Sequence, residues 1–571
     1  MAAGERARLW LPALGRTLVQ QARSEWFGAP LHRLALGQPK ALSLSAAPRD
    51  VRPTDLARGE ALLAGSFTLA GETLEVGPGG DPWNRPSPSH AFAERLHRFD
   101  WIGDLTATGG DGVRDALQLT QDWKRVFGRW NGFSWRPDLL ERRVFNLACV
   151  AQTLVAPASE WETGQIADTL ARQARHLLRI GDEPPRAAER LVACAVAGIA
   201  LGGAAGEHLL TKALPRLDRA LAAAVLPDGG HASRSPQAGL ELLFDLLALD
   251  DGLARTERPS AERVSRAIDR LTEGVRFFTL PDRRLASFQG GEAGDVARIA
   301  AAMAQDAAGT KATPLRDAPF SGYQRMAGHG RHGPAMTVMV DTGPAAAGAW
   351  SLSACAQTGA IEIVCGRDRL IANCGWGPLA RGPQTPRRSA GASAVSLDEG
   401  SVGVPLEGYL ARALGARLVD TPARVTSHRH ESEAGVWVEI NHDGWASVTG
   451  LTHERRLYLD KDHNELRGED RFMPAETARA KPVAVAIRFH LPSDVRALVS
   501  RDQRSVLLRG PSNIGWWLRS DASEVVIDSS VNFRDGIPYG ASQIVLRGRL
   551  RADRGGRVRW KLAVAETAPA A

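Results

Sequence analysis

The sequence predicts two architectures in succession: an all-helical N-terminal region arranged as an incomplete (α/α) toroid, then an antiparallel β-sandwich. Three observations predict this. From Arg6 to about Phe277 apolar residues recur at three and four, the spacing that places them on one helical face. After Pro314 the period becomes two, in short runs bounded by Gly, Pro, Asp and Asn. The 571 residues also exceed what one hydrophobic core serves, since cores stop growing near roughly 250–300 residues. The expected division is 1–300 for the helical domain and 301–571 for the strands, with the boundary between about Asp295 and Ser321.

In order along the chain, the periodicity predicts helices over 113–127, 137–154, 166–178, 185–201, 208–225, 236–249 and 261–277. Turn chemistry separates them. Gly181-Asp182-Glu183-Pro184-Pro185 and Pro227-Asp228-Gly229-Gly230 each stop one helix and start the next. Helices of similar length joined by short loops must bury their apolar stripes on neighbours, and an incomplete ring of helical hairpins does so. Its concave face would form a cleft. A Gly-rich segment at 288–295 and a short helical patch lead to the strands, predicted over 335–341, 360–364, 369–373, 436–440, 455–460, 483–491, 505–508, 514–518 and 543–550. Many short strands with regular turn signals argue for two packed sheets.

With 44% hydrophobic and 24% charged residues the composition is that of a globular protein able to bury substantial cores. The net charge of +7 comes almost entirely from arginine, scattered among acidic residues with no polybasic block, so no nucleic-acid partner is implied. Cys149, Cys194, Cys355, Cys365 and Cys374 are odd in number and lack paired zinc spacing, which argues against a disulfide framework or metal cluster. Charged residues from Glu5 to Arg23 interrupt any export-signal apolar stretch, leaving a cytoplasmic location as the default and a periplasmic one if another export route serves. The longest uncharged run, Leu191 to Gly206, is too short to span a membrane and reads as a buried helix.

The most informative segment is Leu226-Pro227-Asp228-Gly229-Gly230-His231-Ala232-Ser233-Arg234-Ser235-Pro236. It resembles the inter-helix loop that heparinase II/III family members write as Asp-Gly-x-His-x-Glu-x-Ser followed by a Tyr. Further similarities follow in the family's order: Ser321-Gly322-Tyr323-Gln324-Arg325, the run Arg369 to Gly375, Asn441-His442-Asp443-Gly444, Gly468-Glu469-Asp470, and Ile487-Arg488-Phe489-His490-Leu491. The resemblance implies a lyase that cleaves acidic, uronate-containing polysaccharides by β-elimination, with no cofactor. That chemistry needs a group to neutralise the uronate carboxylate, a base for the adjacent proton and an acid for the departing oxygen.

On this resemblance His231, Arg234 and Asn146 are the catalytic candidates, and Arg143, Trp130, Trp135, Trp83 and Gln289 the substrate-binding ones. His231 serves as base or carboxylate partner, or else as a turn histidine; Arg234 as a bidentate carboxylate clamp, or else as a loop charge. Arg143 and Asn146 share a helical face, and the tryptophans offer rings to sugars or pack in the core. The sequence departs from the family pattern at several points. Ser233 stands at the Glu position and Ala238 at the Tyr position, while Cys355, Asn373 and Ala392 stand where metal-binding members carry His, Asp and His. No metal is expected. His428 and His430 share a strand face without a third ligand. Two readings follow, a polysaccharide lyase and a non-catalytic acidic-polysaccharide-binding protein on the same fold. A hydrolase using paired carboxylates ranks behind both.

Overall fold

The computed structural model describes residues 8–306, 313–330, 333–476 and 478–565. Glu5 and Arg6, and the part of the expected boundary at 307–312, lie outside them. The chain has a helical N-terminal part and an antiparallel, strand-rich C-terminal part.

Each helix read from the periodicity is present: Gly110–Phe127, Pro137–Val155, Glu160–Ile180, Ala187–Leu201, Gly203–Ala224, Pro236–Arg255 and Glu262–Phe278. Local chemistry fixes their starts. Pro137 and Pro236 open their helices, Ser235 accepts from Ala238 N, and Ser159 with Glu162 forms a reciprocal capping box. The helix Ala187–Leu201 is buried at every position but Arg190. It packs against Pro137–Val155, Glu160–Ile180, Gly203–Ala224 and Pro236–Arg255, and its Ala-rich surface lets them approach. At the turn into Gly203–Ala224, a Cβ on Gly206 would lie 2.2 Å from Gly198 O, so the two backbones touch there. A hairpin, Ser66–Leu69 with Glu72–Glu75, interrupts the helical part where the sequence suggested no strand. No helix of the described residues is long and apolar enough to cross a membrane.

The strands form a five-stranded sheet from Asp317–Ala318 to Asp368–Ile371, a four-stranded sheet and an eight-stranded sheet. An Ala372–His490 bridge links the first two. A core containing Val338, Ile361, Ile363, Ile487 and Phe489 from these, and Val438, Leu457, Trp516 and Leu562 from the eight-stranded sheet, lies between the layers. The strand Met336–Asp341 is buried at every residue because both its faces are covered. Met326, Met336, Val338 and Val340 face the other strand layer, whereas Tyr323, Met339 and Val364 belong to the core of the helical part. That helical core therefore takes in side chains from the strands as well as from the helices up to Val296–Met303.

Candidate functional site

The loop between Gly203–Ala224 and Pro236–Arg255 is folded by its own residues. Val225 bridges His231, Leu226 N donates to Gly230 O, and Gly230 N donates to Asp228 Oδ1. Asp228 Oδ2 accepts from Ser321 N at 2.7 Å and from the Ser321 hydroxyl at 3.1 Å, tying the loop to the strands. Gly229 has φ +80°, and a Cβ there would sit 2.1 Å from Arg270 O. Gly229→Ala is expected to destabilise the protein by about 3 kcal/mol or more through steric clash and left-handed strain, read as a lower midpoint in chemical denaturation.

His231 is 3% exposed. Its Nδ1 accepts from Ser233 N at 3.2 Å and contacts the Ser233 hydroxyl at 2.7 Å, which places the ring proton on Nε2. That Nε2 is buried without a partner among the described residues, and the ring meets Trp350 edge-on at 5.5 Å. Burial, with the positive charge of Arg186 adding to it, pushes the imidazole down to about 3, so it is neutral at neutral pH.

Arg234 is not a free clamp. Its guanidinium is sealed and fully spent: Nε donates to Ser321 O at 2.7 Å, Nη1 to Pro344 O at 2.7 Å, and Nη2 to Gly322 O at 2.9 Å and Asp341 Oδ1 at 2.6 Å. It lies over the Tyr323 ring, whose hydroxyl donates back to Arg234 O. Gln289 is also internal. It donates from Nε2 to Asp341 Oδ2 at 2.7 Å and accepts from Cys355 N, completing the shell around one buried carboxylate. His231, Arg234 and Gln289 thus converge on the seam between the two parts, where the latter two bind protein rather than substrate.

The other expected residues lie elsewhere. Arg143 is 0% exposed and donates to Gln173 Oε1, His97 O and Ser134 O, each at 2.7 Å. Its guanidinium lies over Trp123. With no carboxylate beside it, burial pulls it down to about 9. Trp83 is buried, donates to Leu119 O and packs on His97 and Phe99, so it belongs to the core. Asn146 shares the helix of Arg143 but is half-buried, donating to Arg98 O and Asp100 and accepting from Arg142. Trp130 and Trp135 line a separate pocket with Gln173, Arg33, Lys124 and Arg129. The eight expected residues therefore do not form one site: Arg143, Arg234, Trp83 and Gln289 are buried with their donors on protein groups.

The motif runs of the strand-rich part serve its interior. Asp470 accepts from Arg455 at 2.7 and 3.1 Å and from Trp560, and bonds His453, which bonds His442. The Arg455 charge holds the Asp470 carboxyl well below its ordinary range against the cost of burial. Arg369 pairs with Glu362 and Asp282, and Asn373 with Glu362. Of the three metal-ligand positions, Asn373 is occupied by those bonds, and burial pushes the Cys355 thiol up to about 11. Among the described residues no three His, Cys, Asp or Glu side chains form a metal-binding group.

Residues 310–561 match the family described as heparinase II/III-like, C-terminal. A solved structure described as the crystal structure of Heparinase III is similar over 94% of this chain and 89% of that one, with a TM-score of 0.71 at 13% identity. Along its sequence the chain is 52% identical over 548 residues, 95% of its length and 94% of the relative's, to "FtsZ-localized protein C" of Caulobacter vibrioides (strain NA1000 / CB15N). The chain belongs to the heparinase II/III family. The heparinase II/III fold is seen again in a heparan sulfate lyase HepC mutant from Pedobacter heparinus, with a TM-score of 0.59 over 94% of this chain and 88% of that one at 14% identity. As a heparinase II/III family member the chain has the expected helical and antiparallel parts.

Proposed function

We propose that this chain is a heparinase II/III-fold protein that has lost β-elimination, retains a capacity to bind acidic polysaccharide on a helical part shaped as an incomplete toroid, and works in company with FtsZ. The observation that carries this is the lack, among the described residues, of a proton-transfer partner hydrogen-bonded to His231 Nε2. Ala238 stands at the tyrosine position, and Tyr323, which donates its hydroxyl to Arg234 O, is 0% exposed. Burial keeps its phenol well above the ordinary range. The Arg234 donors that would neutralise a uronate are consumed by Asp341 and four carbonyls. The printed name of the 52%-identical relative supports the association with FtsZ.

A lyase is the rival reading, favoured by one observation: His231 Nε2 is a buried donor with no partner among the described residues. Two measurements decide. Acidic polysaccharides incubated with the protein should develop no new ultraviolet absorbance at any pH; turnover that disappears in His231→Ala would establish the lyase instead. A fluorescent fusion should coincide with FtsZ structures in the cell, and a dispersed signal beside intact FtsZ structures would refute the association.

A further inference from the structure

A pocket of ≈ 540 Å³ lies between the N-terminal helices Trp10–Gly28 and Pro30–Leu36 on one side and Gly110–Phe127 and Glu160–Ile180 on the other. That volume is in the range of small-molecule sites. We propose that it binds a phosphorylated ring compound, a nucleotide or a sugar phosphate, with the ring against Trp130 and the phosphate on Arg33 and Arg129.

Charge is the first ground. Arg33, Lys124, Arg129 and Arg172 line the pocket against a single carboxylate, Asp168, which is taken by Arg172 at 2.8 Å. Arg33 and Arg129 are exposed, and their guanidinium groups make no hydrogen bond or ion pair among the described residues. Among the described residues Lys124 donates only to Gln165. Behind the wall, Arg143 donates to two carbonyls and an amide oxygen, and Arg175 to the carbonyls of Leu36 and Pro39; neither is within ion-pair distance of a carboxylate among the described residues. A surplus of several positive charges in one concavity suits a phosphate better than a singly charged group, and guanidinium forks match phosphate oxygens.

The second ground is an unmet donor. Gln173 lines the pocket, is 2% exposed, and spends its Oε1 on Arg143 Nε. Its Nε2 has no acceptor among the described residues. A buried amide donor left unpaired carries a desolvation penalty, which an acceptor on a bound molecule would recover. The third ground is the ring surface: Trp130 lines the pocket, is half-buried and has Phe27 tilted against it at 6.4 Å, so an apolar ring borders the cations. This site is separate from the His231 loop, and its test involves neither turnover nor FtsZ.

The test is calorimetric titration of the full chain in low-salt, phosphate-free buffer with adenosine diphosphate, glucose 1-phosphate and inorganic phosphate as separate probes. One of the two ringed probes should saturate at a Kd of about 100 μM or tighter and more tightly than inorganic phosphate. The probe that wins identifies the ring. Arg33→Ala/Arg129→Ala, whose side chains are exposed and make no hydrogen bond or ion pair among the described residues, should weaken it by about tenfold or more. Trp130→Ala should weaken the ringed probes and leave inorganic phosphate unchanged. The proposal is overturned if neither ringed probe saturates, if inorganic phosphate binds as tightly as both, or if binding survives the arginine double variant.

Discussion

Arg234→Met is expected to lower the stability of the folded chain by about 3–5 kcal/mol, the cost of stripping one partner from a buried ion pair. Methionine fills much of the volume but supplies none of the donors that Ser321 O, Gly322 O, Pro344 O and Asp341 receive. Asp341, 0% exposed, would keep only Gln289 Nε2 and Gly343 N among the described residues. Arg234→Lys should fall between, because a point ammonium cannot serve acceptors on several sides of a planar fork. Chemical denaturation followed by circular dichroism reads the change. A shift within about 1 kcal/mol of the parent for Arg234→Met would mean that the seam does not depend on this cluster.

Mild acid should weaken the fold through its histidines. Burial pushes His97, His176 and His231 down to about 3 and His490 down to about 4, from an ordinary value of 6.5. In the window from 6.5 down to those values the unfolded chain binds protons that the folded chain refuses. The stability these four groups contribute is therefore complete above pH 6.5 and is lost as pH falls toward 4 and then 3. Each removes about 1.4 kcal/mol per pH unit inside that window. Buried carboxylates held above their ordinary range, Glu141 and Glu362 among them, pull the other way. The deciding comparison is thus with His231→Gln, which should flatten the dependence of stability on pH between 6 and 4.5 by about 1.4 kcal/mol per unit. An unchanged slope in that variant would show that His231 titrates freely.

The two-part fold was legible because its elements announce themselves locally. The helix Pro236–Arg255 begins at a Ser-Pro cap and repeats leucine at helical spacing, and the strand Pro482–Leu491 is a nearly unbroken apolar run. Other strands escaped for a physical reason. In Glu465–Pro474 the inward positions are Leu466, Gly468, Asp470 and Phe472; Gly468 is bare because Trp560 lies where its Cβ would be, and Asp470 is inward because Arg455 neutralises it. The period-two signal is there in position but not in polarity. Val425–Glu431 has no buried residue at all, being the edge of the eight-stranded sheet, where His428 and His430 are exposed.

The site was less legible than the fold. The loop motif lies between two helices as read, but the partner that disarms Arg234, Asp341, lies 107 residues away and belongs to no motif. Likewise Arg143, beside Asn146 on one helical face, reads as a substrate-binding cation until His97, Ser134 and Gln173 close over it. Gln173 and Arg33 gave no signal in the chain. Arg129 did, standing beside Trp130 and five residues after Lys124, a mix of cations and an aromatic ring of which the tryptophan alone reads as core or sugar surface.

The placement of Tyr323, Met339 and Val364 inside the helical core bears on how the molecule can be divided. A fragment limited to the family-matching stretch 310–561 would carry those side chains bare, together with an Asp341 bereft of its cation. Cutting before residue 310 would thus produce a sticky half-structure instead of an independent module. Exchanges between relatives should move the two halves as a matched pair, since each supplies part of the other's interior.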